Sequence, residues 1–188
     1  MFYGPLLPYL LFFTIQQTKA NNEKRCVLSC SEGWDKQDGN CYLWPNITKT
    51  WEEATEYCEQ RGGHLASVKN EEIDKYIRSK VGKIRDKDHG FFNQPTYPWI
   101  GGTDQEQEGI WKWSDGSPLN FTKWGNGQPD DWKKSEDCLQ FNGERTIDGW
   151  NDLECEEHQM FVCSRSICPD ISNNKMTTQA PTLLRTLR

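Results

Sequence analysis

Three short stretches concentrate side-chain oxygens: Gln128-Pro129-Asp130-Asp131-Trp132, Glu136-Asp137-Cys138 and Trp150-Asn151-Asp152. Carboxylates and side-chain amides in such number suit a hard cation. Calcium takes six to eight oxygen ligands, and Gln128, Asp130, Glu136, Asn151 and Asp152 supply most of that shell. Magnesium keeps several of its own waters and fits so many protein ligands poorly. Pro129 is expected to follow a cis peptide bond, which lets its two neighbours aim at one ion.

Other chemistries find less support. His64, His89 and His158 are far apart, and the close doublet Cys26 and Cys30 has no matching histidine cluster, so zinc is disfavoured. There is no Gly-x-Ser-x-Gly turn and no phosphate-cradling Gly-x-x-x-x-Gly-Lys. His64 and His158 read as structural or solvent-facing. Asp130 and Glu136 could in principle do acid and base work on a glycoside, but the cation already claims them. An enzyme is therefore not expected.

These oxygens need a frame. Thr50-Trp51-Glu52-Glu53 has the form of a capping box, and Trp51, Ala54, Tyr57 and Cys58 then share one helical face that ends at Gly62-Gly63. A second helix starts near Asn70 with two early glutamates, its apolar stripe being Ile73, Tyr76, Ile77, Val81 and Ile84. From about Phe91 the pattern changes to short strand-like runs: Trp99-Ile100-Gly101, Trp111-Lys112-Trp113, Cys138-Leu139-Gln140-Phe141 and Met160-Phe161-Val162-Cys163. Between Asp115 and Glu136 lies a long polar stretch, a length that compact domains rarely carry unless it binds something.

The 188 residues, 35% hydrophobic and 12% aromatic, suit one domain with a sizeable core. A formal charge of −6, with lysines and arginines scattered among carboxylates, argues against nucleic acid as a partner. Residues 1–20 are apolar from Leu6 to Ile15 and end in Thr18-Lys19-Ala20, which reads as a signal peptide without the usual early base. That run is too short for a membrane span, which needs about 20 apolar residues. Behind such a leader, the eight cysteines imply an oxidised, extracellular disulfide framework. Residues 169–188, rich in Thr, Asn and Gln, read as a disordered tail. Asn46-Ile47-Thr48 and Asn120-Phe121-Thr122 are N-glycosylation acceptors, and a glycan on Asn120 would crowd the region of Gln128.

Taken together, the Trp-Ile-Gly segment at Trp99, the Gln-Pro-Asp triplet, the Trp-Asn-Asp triplet and the placing of the cysteines resemble the C-type lectin domain family, over roughly Cys30 to Cys163. The resemblance implies an α+β fold: two helices with short antiparallel sheets and a long calcium-binding loop region, stapled by disulfides. It implies pairing of Cys58 with Cys163, Cys138 with Cys155, and Cys30 with Cys41. Cys26 and Cys168 then remain, just outside the two ends of the domain, which come close together in this family. They pair with each other, our preferred reading for a domain spanning 26–168, or form an interchain bridge. The second arrangement would give a homo-oligomer, and multivalency is the usual remedy for one shallow sugar site.

In that family the residues matching Gln128, Asp130, Glu136, Asn151 and Asp152 ligate the sugar-binding calcium. Two neighbouring sugar hydroxyls place their oxygens on the ion, donate protons to carboxylates and accept them from amides. Members reading Glu-Pro-Asn favour mannose-type hydroxyls; Gln-Pro-Asp, the order here, favours the galactose arrangement. Trp132 matches an aromatic that stacks on the apolar face of galactose. Many galactose binders carry a longer glycine-rich segment after that tryptophan, whereas here Lys133-Lys134-Ser135 leads straight to Glu136. An auxiliary calcium site in the family corresponds to Asp104, Glu108, Asp131 and Asp137; the competing reading of those acids is a solvated acidic loop.

The expectation is thus a secreted, calcium-dependent lectin of galactose-type preference, binding glycans on glycoproteins or cell surfaces. Fold does not dictate function, and the same scaffold serves ice binding of the type II antifreeze kind and protein-binding or toxin-like modules.

Overall fold

The computed structural model describes residues 26–87, 97–143 and 148–168. The expected leader, the expected tail and His89 lie outside these residues. Among the described residues, two α-helices and eight strands form in the order β1 (Asp35–Gln37), β2 (Asn40–Leu43), α1 (Trp51–Glu59), β3 (His64–Leu65), α2 (Glu71–Lys87), β4 (Trp99–Thr103), β5 (Lys112–Trp113), β6 (Cys138–Gly143), β7 (Asp148–Leu153) and β8 (Cys163–Ser166). This is the expected α+β architecture with two small antiparallel sheets, ordered β1-β2-β8-β3 and β5-β4-β6-β7.

Local chemistry accounts for the helices. The Thr50 hydroxyl accepts from the Glu53 N–H at 3.3 Å, and the Glu53 carboxylate accepts from the Thr50 N–H at 3.4 Å, completing the capping box. Trp51, Ala54 and Cys58 are the buried face of α1. Asn70 caps α2 by accepting from the Ile73 N–H at 2.9 Å, and Ile73, Ile77 and Val81 carry its stripe into the core with Tyr76 packed beside them. The apolar run 160–163 joins the core, but its ladder begins only at Cys163, and Phe161 makes an isolated bridge to Trp99.

All four disulfides form as expected: Cys30–Cys41, Cys58–Cys163, Cys138–Cys155 and, closing the two ends, Cys26–Cys168. Cys58–Cys163, spanning 105 residues, ties α1 to β8; closing a loop of this length removes about 4–5 kcal/mol of unfolded-chain entropy in the polymer picture. Cys138–Cys155 joins β6 to the segment just after β7. These two strands frame the oxygen-rich region.

Candidate metal and sugar site

The site is built where the long polar stretch folds back on β7. Asn151 and Asp152 lie in β7, paired with Gln140 and Leu139 of β6. Trp150, fully buried just before them, donates its backbone N–H to the Lys123 carbonyl at 2.7 Å and accepts from the Gly125 N–H at 2.8 Å. A Cβ on Gly149 would sit 2.3 Å from the Gly125 nitrogen, so only glycine lets the loop base press this close. From there the chain turns at Gly125-Gln128 and passes the cis Gln128–Pro129 peptide, as expected.

Asp152 then organises the return. Its carboxylate, fully buried, accepts from the Asp130 N–H at 3.2 Å and the Asp131 N–H at 2.7 Å. The Glu136 carboxylate accepts from the Trp132 N–H at 3.1 Å, and Asp131 accepts the Glu136 N–H at 3.4 Å. Asp131, Lys133 and Lys134 adopt left-handed backbone angles, φ 41°, 58° and 61°. Such a conformation costs a side-chain-bearing residue about 1–2 kcal/mol, offset here by the carboxylate hydrogen bonds that fix the turn.

One oxygen from each of Asp130, Glu136 and Asp152 comes within 4.8 Å of the others. The Gln128 Oε1 atom is buried with no hydrogen-bond partner among the described residues, as an oxygen reserved for a cation would be. The Asn151 side-chain amide donates to the Asp152 carbonyl, which fixes its rotamer. Three carboxylates, an unsatisfied amide oxygen and a second amide from the next residue are a hard, oxygen-only donor set that fits calcium.

The electrostatics agree. Burial pushes the Glu136 carboxyl up to about 7, with Asp152, Asp130 and Glu154 adding repulsion, against the lowering bond from the Trp132 N–H. Asp152 is also raised, by burial and then by Asp130, although the backbone N–H groups of Asp131 and Asp130 oppose this. A proton on Glu136 competes with a cation. Metal affinity is therefore expected to fall about tenfold between pH 7.5 and pH 6, measured by calcium titration at the two pH values. In the ion-free protein the sign reverses. A carboxyl raised from its ordinary 4.5 to about 7 holds its proton longer folded than unfolded, so stability declines as pH rises through that window.

The second acidic group is looser. Asp104 follows β4, and its backbone N–H donates to the Asp137 carbonyl at 3.2 Å because Thr103 pairs with Cys138 next door. Asp104 Oδ2 accepts the Gly109 N–H at 2.9 Å, while Oδ1 is buried without a partner among the described residues. Burial, then Glu108 and Asp137, push Asp104 up to about 6 despite that hydrogen bond. Burial, Asp131 and Glu156 raise Asp137 as well. Asp104, Glu108, Asp131 and Asp137 thus neighbour one another in charge, but they are not gathered as tightly as the first trio.

Trp132 stands 56% exposed rather than buried in the core. The Lys133 ammonium lies 3.6 Å from its ring centroid, a cation–π contact supplied by the short Lys133-Lys134-Ser135 link to Glu136. Both sequon asparagines, Asn46 and Asn120, are exposed, as are His64 and His158. Sequence reasoning passed over Glu154, whose charge reaches Glu136 and whose carboxylate accepts from Ser135 at 3.1 Å. It also passed over Asp74, which accepts the Trp150 indole N–H at 3.0 Å from 76 residues away. Glu154 was legible as the second residue after Asp152. No spacing announces the pairing of Asp74 with Trp150.

Comparison with known proteins bears on this geometry. The family model for the lectin C-type domain matches residues 47–165, more than half of the chain. The galactose-specific lectin nattectin of Thalassophryne nattereri is 32% identical over 148 residues, covering 79% of this chain and 87% of that protein. Several longer curated relatives match as well, and this chain spans 26% to 48% of their length. Among solved structures, the carbohydrate-recognition domain of the mouse scavenger receptor C-type lectin superposes with a TM-score of 0.61 at 31% identity, covering 74% of this chain and 98% of that one. A calcium-independent type II antifreeze protein matches with the same TM-score, 0.61, at 28% identity, covering 77% of this chain and 99% of that one. A family match of this extent, joined to a lectin relative alike across most of both sequences, makes this chain a member of the C-type lectin domain family.

Proposed function

We propose that this chain is an extracellular, calcium-dependent lectin with a preference for galactose-type glycans, and that Gln128, Asp130, Glu136, Asn151 and Asp152 hold the ion and the sugar. The convergence of the Asp130, Glu136 and Asp152 oxygens within 4.8 Å, beside the unpartnered Gln128 oxygen, carries the reading. The galactose-specific relative and the Gln-Pro-Asp order support the sugar class. The leader-like residues 1–20 and four disulfides support export, and among the described residues no helix is long and apolar enough to cross a membrane.

Calcium held by Gln128, Asp130, Glu136, Asn151 and Asp152 would supply the positive charge that draws sugar hydroxyl oxygens and polarises their protons. The protein's part is hydrogen bonding and shape. Asp130 and Glu136 accept the hydroxyl protons, while the amides of Gln128 and Asn151 donate to hydroxyl lone pairs. Charge assistance makes the bonds to carboxylates the stronger ones. Trp132 offers its ring to the apolar face of the sugar, worth about 0.5–1.5 kcal/mol. Asp104, Glu108, Asp131 and Asp137 are proposed to hold an auxiliary calcium that relieves their mutual repulsion.

Immobilised galactose tests the assignment. Retention in calcium, elution by EDTA and by free galactose, and no thermal hysteresis are expected. Hysteresis without retention would move the chain to the antifreeze reading that its likeness to that structure keeps in view. Capture of a protein insensitive to galactose and EDTA would move it to a protein-binding role.

A further inference from the structure

We infer that Asp74, in α2, is a positioning residue for the calcium site, acting through the indole of Trp150. The inference rests on the site assigned above. Asp74 shares the core face of α2 with Ile73 and Ile77, is 1% exposed, and stands where a leucine would pack at less cost. A buried carboxylate is retained only with partners. One oxygen accepts the Trp150 Nε1–H at 3.0 Å and the other accepts Arg78 at 3.1 Å.

Trp150 is the piece that both arms of the site share. Its ring is wedged among Trp113, Phe121 and Trp124, with centroids 5.6, 5.8 and 6.1 Å away. Edge-on packing of this kind resists displacement but leaves the ring's orientation about its own plane weakly fixed. The single polar atom of the ring, held by Asp74, fixes it. From the backbone of Trp150 one arm continues directly into Asn151 and Asp152. The other is the loop base, hydrogen-bonded through Lys123 and Gly125, and the Gly125 carbonyl takes the Gln128 N–H at 3.0 Å. A swing of Trp150 thus displaces Gln128 and Asp152 together. One turn earlier on the same helix, Glu71 holds Lys123 at 3.0 Å, but that pair is more than a third exposed on each side and screened by solvent.

The test compares calcium dissociation constants of the oxidised protein at a temperature where every variant is folded, so that global stability does not enter. Asp74→Ala is expected to weaken calcium about tenfold or more, the scale on which groups behind metal ligands act. Asp74→Asn, which keeps an acceptor for the indole, is expected to stay within about threefold, and Glu71→Gln within about twofold. Should Asp74→Ala not fold, Trp150→Phe removes the donor while keeping an aromatic ring, and is expected to weaken calcium about fivefold or more. Amide exchange of residues 123–131 in ion-free protein gives a second reading, with faster exchange expected in Asp74→Ala. Unchanged affinity and unchanged exchange in a folded Asp74→Ala or Trp150→Phe would overturn the inference. If wild type takes up no calcium, the site assignment fails, and the ion-free exchange experiment alone decides the role of Asp74.

Discussion

Replacing Asp152 with alanine is expected to abolish calcium-dependent sugar retention, lowering affinity by at least about a hundredfold, while leaving the disulfide-stapled fold intact. This carboxylate has two tasks. It faces Asp130 and Glu136 across less than 4.8 Å, and it accepts the N–H groups of Asp130 and Asp131 that bring the loop back to β7. Asp130→Ala removes an exposed carboxylate that carries no such structural duty, so it is expected to abolish retention as well but to leave the loop in place. Proteolysis of the ion-free proteins separates the two: cleavage between Gln128 and Glu136 is expected to quicken in Asp152→Ala and to stay at the wild-type rate in Asp130→Ala. Equal susceptibility would mean that the Asp152 hydrogen bonds do not hold the loop.

The second large effect is an exchange of preference. In the present order Gln128 offers an amide donor on one side of Pro129 and Asp130 a carboxylate acceptor on the other. The double substitution Gln128→Glu with Asp130→Asn reverses donor and acceptor while keeping two oxygen ligands, so calcium affinity is expected to change little. The mannose-to-galactose ratio on a glycan array is expected to rise about tenfold or more, equivalent to about 1.4 kcal/mol. Trp132, exposed and unchanged in this variant, is expected to go on favouring galactose and so to limit the reversal. An unchanged ratio would place selectivity outside these two side chains.

Much of this was legible along the chain because local rules and tertiary structure agree. Thr50 and Glu53 announce α1, and the spacing of Ile73, Ile77 and Val81 announces the buried stripe of α2. Part of the candidate site was legible for a different reason: oxygen donors cluster in short motifs, and the structure brings together Asp130, Glu136 and Asp152 from three separate stretches. What escaped had no periodic signal. β1 is exposed along its whole length, and only Asp38-Gly39, both at positive φ, marks its hairpin with β2. β7 reads as a polar metal motif rather than a strand, because its pairing with β6 and not its own propensity makes it one. Asp74 lies on a helix face whose spacing predicts burial but names no partner. Its contact with Trp150 joins residues that only the packed fold makes neighbours.

Calorimetric titration of calcium into the oxidised protein at pH 7.5 decides whether these oxygens hold a cation. Saturable uptake is expected, with a dissociation constant on the order of 10⁻⁴–10⁻³ M, the range of extracellular modules. Absence of any binding heat up to about 10 mM calcium, ten times the weakest constant in that range, would contradict it.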